Sequence, residues 1–347
     1  MYFNATYAST IMSFHFLLKE NLMKAIVINQ YGGADQLMLK EIPTPDPQKG
    51  DVLISIKAFG INRAEIYMRQ GVWGDVAKVS GIECVGLVEN DPSRKYEKGQ
   101  YVAAIMGGMG RIRNGSYAEF TSVPSSNIFP VETSLSWADL AAIPESYATA
   151  WACLHENMRI KEGDTVFIRG GTSALGQAAI NIASNISNVS VISSTRISDN
   201  VALLTDIGCN DVFIENENLS EQLREKYPQG VNSVMDIIGN STLRDSMKMV
   251  SKGGYVSNAG FLGGGDPISF NAMADMPPSV NLNFFGSYVF GTPAFSLSKI
   301  PMQEIINNAE KGKYKIKPVE IFSLNDVSKA HELMESNKAS GKIVVTL

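Results

Sequence analysis

The sequence predicts an α/β protein in which a doubly wound parallel sheet is joined to a smaller β-rich lobe. From residue 145 to residue 291, buried strand-like segments alternate with segments whose apolar residues recur at helical spacing. A glycine-rich turn directly follows the first of those strands. Residues 24–144 differ, because short strand-like segments there are separated by Gly, Pro, Asn and Asp. The alternation of strands and helices predicts βαβ units and therefore a parallel sheet.

The alternating region supplies the six strands that a doubly wound dinucleotide-binding sheet requires. In chain order, the predicted strands cover residues 166–169, 189–193, 211–214, 233–238, 255–258 and 281–290. The helices predicted between them cover residues 175–186, 199–207, 219–227 and 242–250.

The change of pattern along the chain predicts three parts. Residues 145–291 form the sheet domain, and residues 23–144 together with residues 292–347 form the β-rich domain, which is therefore discontinuous. The C-terminal residues hold too few elements for a domain of their own, so they are expected to complete the first lobe. Residues 1–22 lack the basic start and the cleavage site of a signal peptide, and we interpret them as an N-terminal extension.

The composition excludes several classes of protein. The chain has 347 residues, of which 44% are hydrophobic, and a formal net charge of −5, which is typical of a globular protein. A mildly acidic chain lacks the basic surface of a nucleic-acid-binding protein, and no apolar run approaches the ~18 residues of a membrane span. The isolated cysteines Cys84, Cys153 and Cys209 form no zinc-binding pair and predict a reducing, cytoplasmic location.

The glycine-rich turn is the strongest chemical signal in the chain. Glycines between a strand and a helix let the backbone approach a pyrophosphate, while the helix N-terminus supplies N–H donors and a positive dipole. Ser173 replaces the middle glycine of the usual fingerprint. The predicted cofactor-binding residues of this turn are Gly171, Thr172, Ser173, Ala174, Leu175 and Gly176. The alternative is a tight structural turn in an α/β protein that binds no nucleotide.

The end of the second predicted strand indicates which nicotinamide cofactor binds. An acidic residue there binds the ribose hydroxyl of NADH, whereas an arginine accepts the 2′-phosphate of NADPH. This strand ends in Ser194, Thr195 and Arg196, which favours NADPH because the guanidinium can pair with a phosphate and the hydroxyls can donate to it. The alternative is a solvated arginine, with Asp199 binding the ribose.

Several motifs along the chain point to one family. They are GINRAEIYMRQG at residues 60–71, GIECVG at 81–86, GSYAEF at 115–120, TAW at 149–151, DIIG at 236–239 and GKIV at 341–344. With the glycine-rich turn, they make residues 23–347 resemble a medium-chain dehydrogenase/reductase of the zinc-independent quinone oxidoreductase (zeta-crystallin-like) family. The resemblance implies a GroES-like β-barrel for the β-rich lobe, a Rossmann fold for the sheet domain, and a cofactor bound in the cleft between them.

The resemblance also implies that no metal is bound. Zinc-dependent relatives carry a cysteine where this chain has Asn62 and a histidine where it has Ile82, and their cysteine-rich structural zinc loop is missing here. Without zinc as a Lewis acid, the acceptor must itself delocalise the charge that hydride transfer creates. The predicted function is therefore hydride transfer from NADPH to a quinone or an α,β-unsaturated carbonyl.

The resemblance places the expected catalytic residues in the first of these motifs. Asn62 is expected beside the nicotinamide, and Asn62 and Tyr67 are expected to donate hydrogen bonds to the developing oxyanion. Ordinary packing of Tyr67 within its lobe is the alternative. The remaining expected cofactor contacts are Tyr147, Thr149, Ile238, Gly239, Asn240 and Lys342, together with Gly260 and Phe261 after the fifth strand.

Two other functions stay open at this point. Enoyl-thioester reductases of the same family use a tyrosine proton donor near the position of Trp73, and an indole is not a useful acid. A nucleotide-binding redox sensor without catalytic activity would bind NADPH but reduce no acceptor.

The last predicted strand, from Asn281 to Phe290, is rich in aromatic residues. It contains Phe284, Phe285 and Tyr288. An apolar edge strand invites pairing with a second subunit, and members of the family commonly dimerise there, so we expect a homodimer. Burial of these rings inside one subunit is the alternative.

Overall fold

The computed structural model describes residues 21–347. The expected extension of residues 1–22 therefore lies almost wholly outside the described residues. The first strand starts at Leu22, one residue before the sequence pattern predicts. Within residues 21–347, no helix is long and apolar enough to cross a membrane.

The described residues form strands and α-helices with the following bounds. The strands are β1 (Leu22–Ile28), β2 (Leu37–Pro43), β3 (Asp51–Ile61), β4 (Glu83–Asn90), β5 (Tyr101–Ile105), β6 (Phe120–Pro124), β7 (Ile128–Pro130), β8 (Thr165–Arg169), β9 (Ser190–Thr195), β10 (Asp211–Ile214), β11 (Val231–Asp236), β12 (Val250–Asn258), β13 (Asn281–Phe284), β14 (Glu320–Ser323) and β15 (Ile343–Thr346). The helices are α1 (Arg63–Arg69), α2 (Trp137–Ala141), α3 (Pro144–Ala152), α4 (Ala174–Ser184), α5 (Val201–Asp206), α6 (Leu219–Lys226), α7 (Leu243–Met249), α8 (Ala272–Asp275), α9 (Met302–Glu310) and α10 (Val327–Glu335).

Six parallel strands form the doubly wound sheet that the sequence predicts. Their spatial order is β10-β9-β8-β11-β12-β13. The chain forms the central strand β8 first, then β9 and β10 on one side of it, and then β11, β12 and β13 on the other side. Every neighbouring pair in this sheet is parallel. The crossover from β10 to β11 makes a switch point beside β8, and ligands of such sheets bind there, beyond the carboxyl ends of the strands.

The second large sheet belongs to the GroES-like lobe and contains strands from both ends of the described chain. Its order is β14-β15-β3-β4-β5-β7, and β6 also pairs with β3. Because β15 runs antiparallel to β3, the C-terminal residues complete the sheet of the N-terminal lobe. The domain boundaries themselves stay a prediction, and helix α3 spans the one placed between residues 144 and 145.

The last strand of the parallel sheet is shorter than the sequence predicts. Strand β13 ends at Phe284, and a 3-10 turn follows at Ser287–Val289. The rings of Phe285 and Phe290 are buried inside the subunit, where both contact Phe295. The prediction of a strand to residue 290 is wrong because aromatic residues suit a strand and an irregular buried segment equally well.

One apolar core and one buried amide connect the two lobes. Ala148 of helix α3 is fully buried in a cluster that also contains Ile105 of the GroES-like lobe and Ile168 of the parallel sheet. The amide of Asn127 donates to the carbonyl oxygens of Ile105 and Phe290, at 3.0 and 2.9 Å. These contacts fix the position of the GroES-like lobe relative to the parallel sheet.

Candidate active site

The glycine-rich turn joins β8 to helix α4 at the carboxyl edge of the parallel sheet. A Cβ atom on Gly176 would collide with the backbone of Gly170 and Gly171, so only glycine lets the helix pack this closely. The Ser173 hydroxyl caps α4, because it accepts from the N–H of Gly176 at 3.1 Å and donates to the carbonyl oxygen of Gly170 at 2.8 Å. This turn and the N-terminus of the 11-residue helix therefore fit a pyrophosphate group.

Only one of the three residues expected to bind the ribose phosphate is exposed. Ser194 and Thr195 are buried, and their hydroxyls donate to the Glu215 carboxylate and the Ile197 carbonyl oxygen, at 2.7 and 3.1 Å. Arg196 follows β9 directly and is exposed. The structure thus leaves the guanidinium, rather than the two hydroxyls, accessible to a phosphate group.

A buried ion-pair network under this edge was not apparent in the sequence. Arg169, at the end of β8, is buried and pairs with the carboxylates of Glu215 and Asp245. Its guanidinium also donates to the Ser246 hydroxyl at 3.0 Å, and Glu215 accepts in turn from Ser194. The carboxylate partners lie 46 and 76 residues along the chain from the arginine, so no local motif could have revealed the network.

The loop after β11 supplies three of the expected cofactor contacts. Asp236 accepts hydrogen bonds from the backbone N–H groups of Ile238 and Gly239, each at 2.9 Å. Gly239 has a φ of +91°, a left-handed conformation that favours glycine. The Asn240 amide donates to the carbonyl oxygen of Asp266 at 2.7 Å. The aspartate therefore shapes the turn that faces the switch point.

The loop after β12 begins with Gly260 and Phe261 and contacts the GroES-like lobe. The Tyr67 hydroxyl donates to the carbonyl oxygen of Phe261 at 3.0 Å, across the cleft. The Tyr67 ring lies 5.7 Å from the Trp73 ring, and the Phe261 ring lies 5.8 Å from the Phe284 ring. Aromatic rings from both lobes thus lie close together here, and the Tyr67 hydroxyl is engaged by a backbone carbonyl group of the other lobe.

Lys342 is the centre of a buried polar cluster between the lobes. Its ammonium donates to the Glu83 carboxylate at 2.5 Å, to the Asn62 side-chain oxygen at 2.7 Å and to the Ser146 hydroxyl at 3.2 Å. The side chains of Lys342 and Glu83 are 4% and 1% exposed. An ammonium has three N–H groups, so all of them are engaged. The lysine cluster, as we call it, comprises Asn62, Glu65, Glu83, Glu145, Ser146 and Lys342.

Asn62 lies at the N-cap of helix α1, and its amide hydrogens are also engaged. Nδ2 donates to Glu83 at 2.9 Å and to Glu65 at 3.3 Å, while Oδ1 accepts from Lys342. Glu65 accepts in addition from the backbone N–H of Asn62 at 2.6 Å, which completes a capping box. The structure brings Asn62 and Lys342 together, but in this arrangement neither has an N–H group left for a substrate.

Two carboxyl groups of the lysine cluster bind protons more tightly than ordinary glutamates do. Glu65 is fully buried, and desolvation raises its pKa to about 8, although the Lys342 ammonium opposes the shift. Desolvation also raises the pKa of Glu145, where Lys342 again opposes the shift and the Glu83 carboxylate adds to it. A single ammonium therefore faces three carboxyl groups.

The two expected cofactor contacts on helix α3 make interior contacts. Tyr147 is buried, where its hydroxyl accepts from the Asn181 amide at 3.0 Å and its ring stacks on Tyr314. Thr149 is also buried, and its hydroxyl lies 3.1 Å from the Glu145 carboxyl. Both side chains are thus engaged within the protein in this conformation.

Gln177 links the glycine-rich turn to the lysine cluster, and sequence reasoning did not single it out. Its amide donates to the carbonyl oxygen of Thr172 at 3.1 Å and to that of Ser340 at 2.9 Å. Ser340 lies just before Lys342, so one side chain of α4 holds both the turn and the segment that carries the lysine. The contact with Ser340 spans 163 residues, which leaves no signal in a local pattern.

Comparisons with known proteins show similarity to dehydrogenases and quinone oxidoreductases. A family model described as an alcohol dehydrogenase GroES-like domain matches residues 48–133, and one described as a zinc-binding dehydrogenase matches residues 207–345. A quinone oxidoreductase of Mus musculus is 26% identical over 343 residues, which cover 94% of this chain and 99% of that protein. The two family models and the quinone oxidoreductase relatives together support a place for this chain in the quinone oxidoreductase family of medium-chain dehydrogenases/reductases. It is therefore an oxidoreductase, as the motifs predict.

Solved structures of the quinone oxidoreductase family share the fold. A quinone oxidoreductase of Pseudomonas syringae superimposes with a TM-score of 0.83 at 21% identity, covering 94% of this chain and 100% of the other. A mycobacterial protein solved in complex with NADPH gives a TM-score of 0.83 at 24% identity, with the same coverage. The predicted combination of a Rossmann sheet and a GroES-like lobe is confirmed.

The lysine cluster is a poor donor set for a catalytic metal ion. Within residues 21–347, no group of three or more His, Cys, Asp and Glu side chains could hold a metal ion. The Glu83 carboxylate already pairs with the Lys342 ammonium, whose positive charge opposes a second cation. The donors of the lysine cluster are thus engaged with one another and with an ammonium group.

Replacing the central ammonium tests how the lysine cluster contributes to stability. Lys342→Met leaves three carboxyl groups without their cation, and removing one partner of a buried ion pair costs about 3–5 kcal/mol. A carboxyl whose pKa is raised by folding stabilises the folded state at low pH, and this contribution disappears as the pH rises through the folded-state value. Because the pKa values of Glu65 and Glu145 should rise further without Lys342, the loss of stability relative to the wild type should grow between about pH 6 and pH 9, as the pH passes the wild-type value of about 8 for Glu65.

Urea denaturation of wild type and variant at both ends of that pH range measures this effect. Lys338→Met is the matched control, because Lys338 is exposed in the segment just before the cluster. It should change the free energy of unfolding by less than about 0.5 kcal/mol. An equally large loss at both pH values in Lys342→Met would contradict the coupling between the ammonium and the carboxyl groups.

Proposed function

We propose that this chain is a zinc-independent reductase that uses NADPH to transfer a hydride to a quinone or an α,β-unsaturated carbonyl. One observation carries the proposal: Gln177 donates hydrogen bonds both to the glycine-rich turn and to the segment before Lys342, so the turn and the lysine cluster are held close together. Similarity to quinone oxidoreductases over nearly the full chain supports the same class of reaction.

The residues at the sheet edge fit a dinucleotide. Gly171, Gly176 and the first N–H groups of helix α4 would hold the pyrophosphate, and Arg196 would pair with the 2′-phosphate. When bound, the nicotinamide supplies the hydride. The chain contributes orientation, and the hydrogen bond from Tyr67 to Phe261 connects the two lobes.

A planar, conjugated acceptor fits this cleft better than a simple ketone does. Without a Lewis acid, delocalisation within the acceptor must stabilise the charge that hydride transfer creates. The aromatic rings that lie close together come from both lobes and can stack on a planar substrate. They belong to Tyr67, Trp73, Phe261 and Phe284.

Turnover by purified protein that has been treated with a metal chelator tests the reaction and its independence of zinc together. With a small benzoquinone as acceptor, NADPH should be oxidised at the same rate before and after treatment, followed by the absorbance of the reduced nicotinamide. Reduction of an enoyl thioester but not of the quinone would favour the thioester reductase instead. Tight NADPH binding with no turnover on any acceptor would favour a redox sensor.

The preference for NADPH depends on Arg196, the exposed member of the expected phosphate-binding group. Arg196→Ala should weaken NADPH binding by about 10- to 100-fold, because a hydrogen bond to a charged group contributes ~1.5–3 kcal/mol. NADH binding should be nearly unchanged. Fluorescence titration with each cofactor gives the two dissociation constants, and Lys252→Ala removes an exposed charge from the same lobe as a control. Equal weakening of both cofactors would contradict the assignment of Arg196 to the 2′-phosphate, and no change in either would support the alternative in which Asp199 binds the ribose.

The cysteines support a cytoplasmic location. Cys84, Cys153 and Cys209 are all buried and form no disulfide. Thiols persist in compartments that are kept reducing. We therefore propose that the protein works in the cytoplasm.

We also propose a homodimer that forms through the outer edge of the parallel sheet. Strand β13 is the last strand of that sheet and has no outer partner among the described strands. Phe284 and Tyr288, on or next to this edge, are 49% and 71% exposed. Phe285 and Phe290 take no part, because both are buried inside the subunit. An unpaired apolar edge favours pairing with a second copy.

Light scattering should give twice the mass of one chain. Phe284→Lys places a charge on the edge strand and should shift the protein to the monomer. Ile112→Lys, in an exposed loop of the other lobe, should leave the mass unchanged. A monomeric wild-type protein would contradict the dimer.

A further inference from the structure

The lysine cluster holds more carboxyl groups than its single cation can balance. Glu65, Glu83 and Glu145 share one ammonium, that of Lys342. If all three carboxyl groups were ionised, two negative charges would remain uncompensated in a buried environment, which desolvation opposes. At least one of these carboxyl groups is therefore expected to hold a proton near neutral pH.

The hydrogen-bond partners of Glu83 match the ionised form, whereas Glu65 can hold a proton because burial raises its pKa to about 8. Glu83 accepts from the Lys342 ammonium and from the Asn62 amide. Glu65 accepts from the backbone N–H groups of Asn62 and Ile82, at 2.6 and 3.1 Å. Since N–H groups can only donate, a proton on Glu83 would face a donor and not an acceptor, and a proton on Glu65 lies on a fully buried side chain.

Glu145 has partners of a different kind. The Thr149 hydroxyl lies 3.1 Å from its carboxyl, and the Ser287 hydroxyl also faces it. A hydroxyl can donate to a carboxylate or rotate to accept from a carboxylic acid, so both protonation states of Glu145 are satisfied. Glu145 is also partly exposed, whereas Glu65 and Glu83 are fully buried.

The position of Glu145 gives its proton access to the cleft. It lies in the first turn of α3, where its backbone N–H donates to Glu83 of the GroES-like lobe at 2.8 Å. Its carboxyl faces Ser287, which follows β13 at the carboxyl edge of the parallel sheet. Because ligands of this fold bind beyond that edge, an acceptor in the cleft would lie on the same side as this carboxyl.

We propose that Glu145 is the proton donor of the reaction, an assignment that rests on the reductase function proposed above. Hydride transfer to a quinone oxidises NADPH to NADP⁺ and leaves a hydroquinone monoanion. The O–H bond of the Glu145 carboxylic acid then breaks, its proton forms the second O–H bond of the hydroquinone, and the electron pair stays on the carboxylate. After the product leaves, a proton from water restores the acid, so each turnover consumes one proton.

The charged and titratable groups around Glu145 suit this cycle. The Lys342 ammonium stabilises the carboxylate that remains after proton transfer, and the Glu83 carboxylate favours the return of a proton. Cys153 also faces Glu145, but burial raises the pKa of its thiol, so the thiol stays neutral. Glu145 is thus the group at this position that changes charge during turnover.

The pH dependence of turnover tests the assignment. Wild-type kcat with a small benzoquinone should fall as the pH rises through the pKa of Glu145, because only the acid form donates. Glu145→Gln should lower kcat by about 10²-fold or more at low pH and should abolish this dependence. Glu145→Asp keeps a carboxyl and should retain the falling limb at a reduced kcat. Glu221→Gln, on the exposed side of helix α6, should keep the wild-type rate and profile.

Infrared titration supplies a readout that needs neither cofactor nor turnover. A protonated carboxyl has a carbonyl band separate from the bands of a carboxylate. Near neutral pH, one such band in the wild-type protein should be missing from Glu145→Gln and present in Glu221→Gln. NADPH binding with unchanged affinity shows that Glu145→Gln is folded.

The possible outcomes separate the two proposals. If Glu145→Gln binds NADPH but keeps the wild-type kcat or pH profile, the donor role is overturned while the reductase function stands. An infrared spectrum without a difference at Glu145 also overturns the donor role. If the wild-type protein reduces no acceptor, the reductase function is overturned and the donor role with it.

Discussion

The buried contact between the Lys342 ammonium and the Glu83 carboxylate is the interaction on which the cleft depends. Two charges removed from water are stable only when their remaining hydrogen-bonding groups are also satisfied. Here the other N–H groups of the ammonium bind Asn62 and Ser146. Lys342 directly precedes β15, which pairs with β3 in the GroES-like sheet. The C-terminal segment therefore contributes both a strand to that sheet and a positive charge to the candidate active site.

Hydrogen bonds from three side chains to backbone carbonyl groups fix the position of one lobe relative to the other. Gln177 holds the glycine-rich turn and the segment before Lys342, and Tyr67 reaches from one lobe to the loop after β12. Asn127 adds a third contact, deep in the core. A bound dinucleotide and the lysine cluster would thus be held at a set distance, which hydride transfer requires because its rate depends strongly on geometry.

The parts of the structure that could be predicted from the sequence are those formed by residues close together in the chain. The strand, turn and helix around Gly176 were predictable, because their pattern lies within neighbouring residues. The strand expected to reach Phe290 ends at Phe284, because the burial of later rings depends on a partner elsewhere. The donors of Asn62 were expected to face the substrate, but Lys342, 280 residues away, and two glutamates engage its amide.

The fold class, the resemblance to quinone oxidoreductases and the glycine-rich turn follow from the sequence alone, because alternation, glycine spacing and motifs are properties of adjacent residues. The tertiary structure alone shows which side chains are engaged and which carboxyl can hold a proton. Desolvation and hydrogen-bond pairing depend on groups that folding brings together, as helix residue Glu145 illustrates with Glu83 from strand β4 and Lys342 from near the C-terminus.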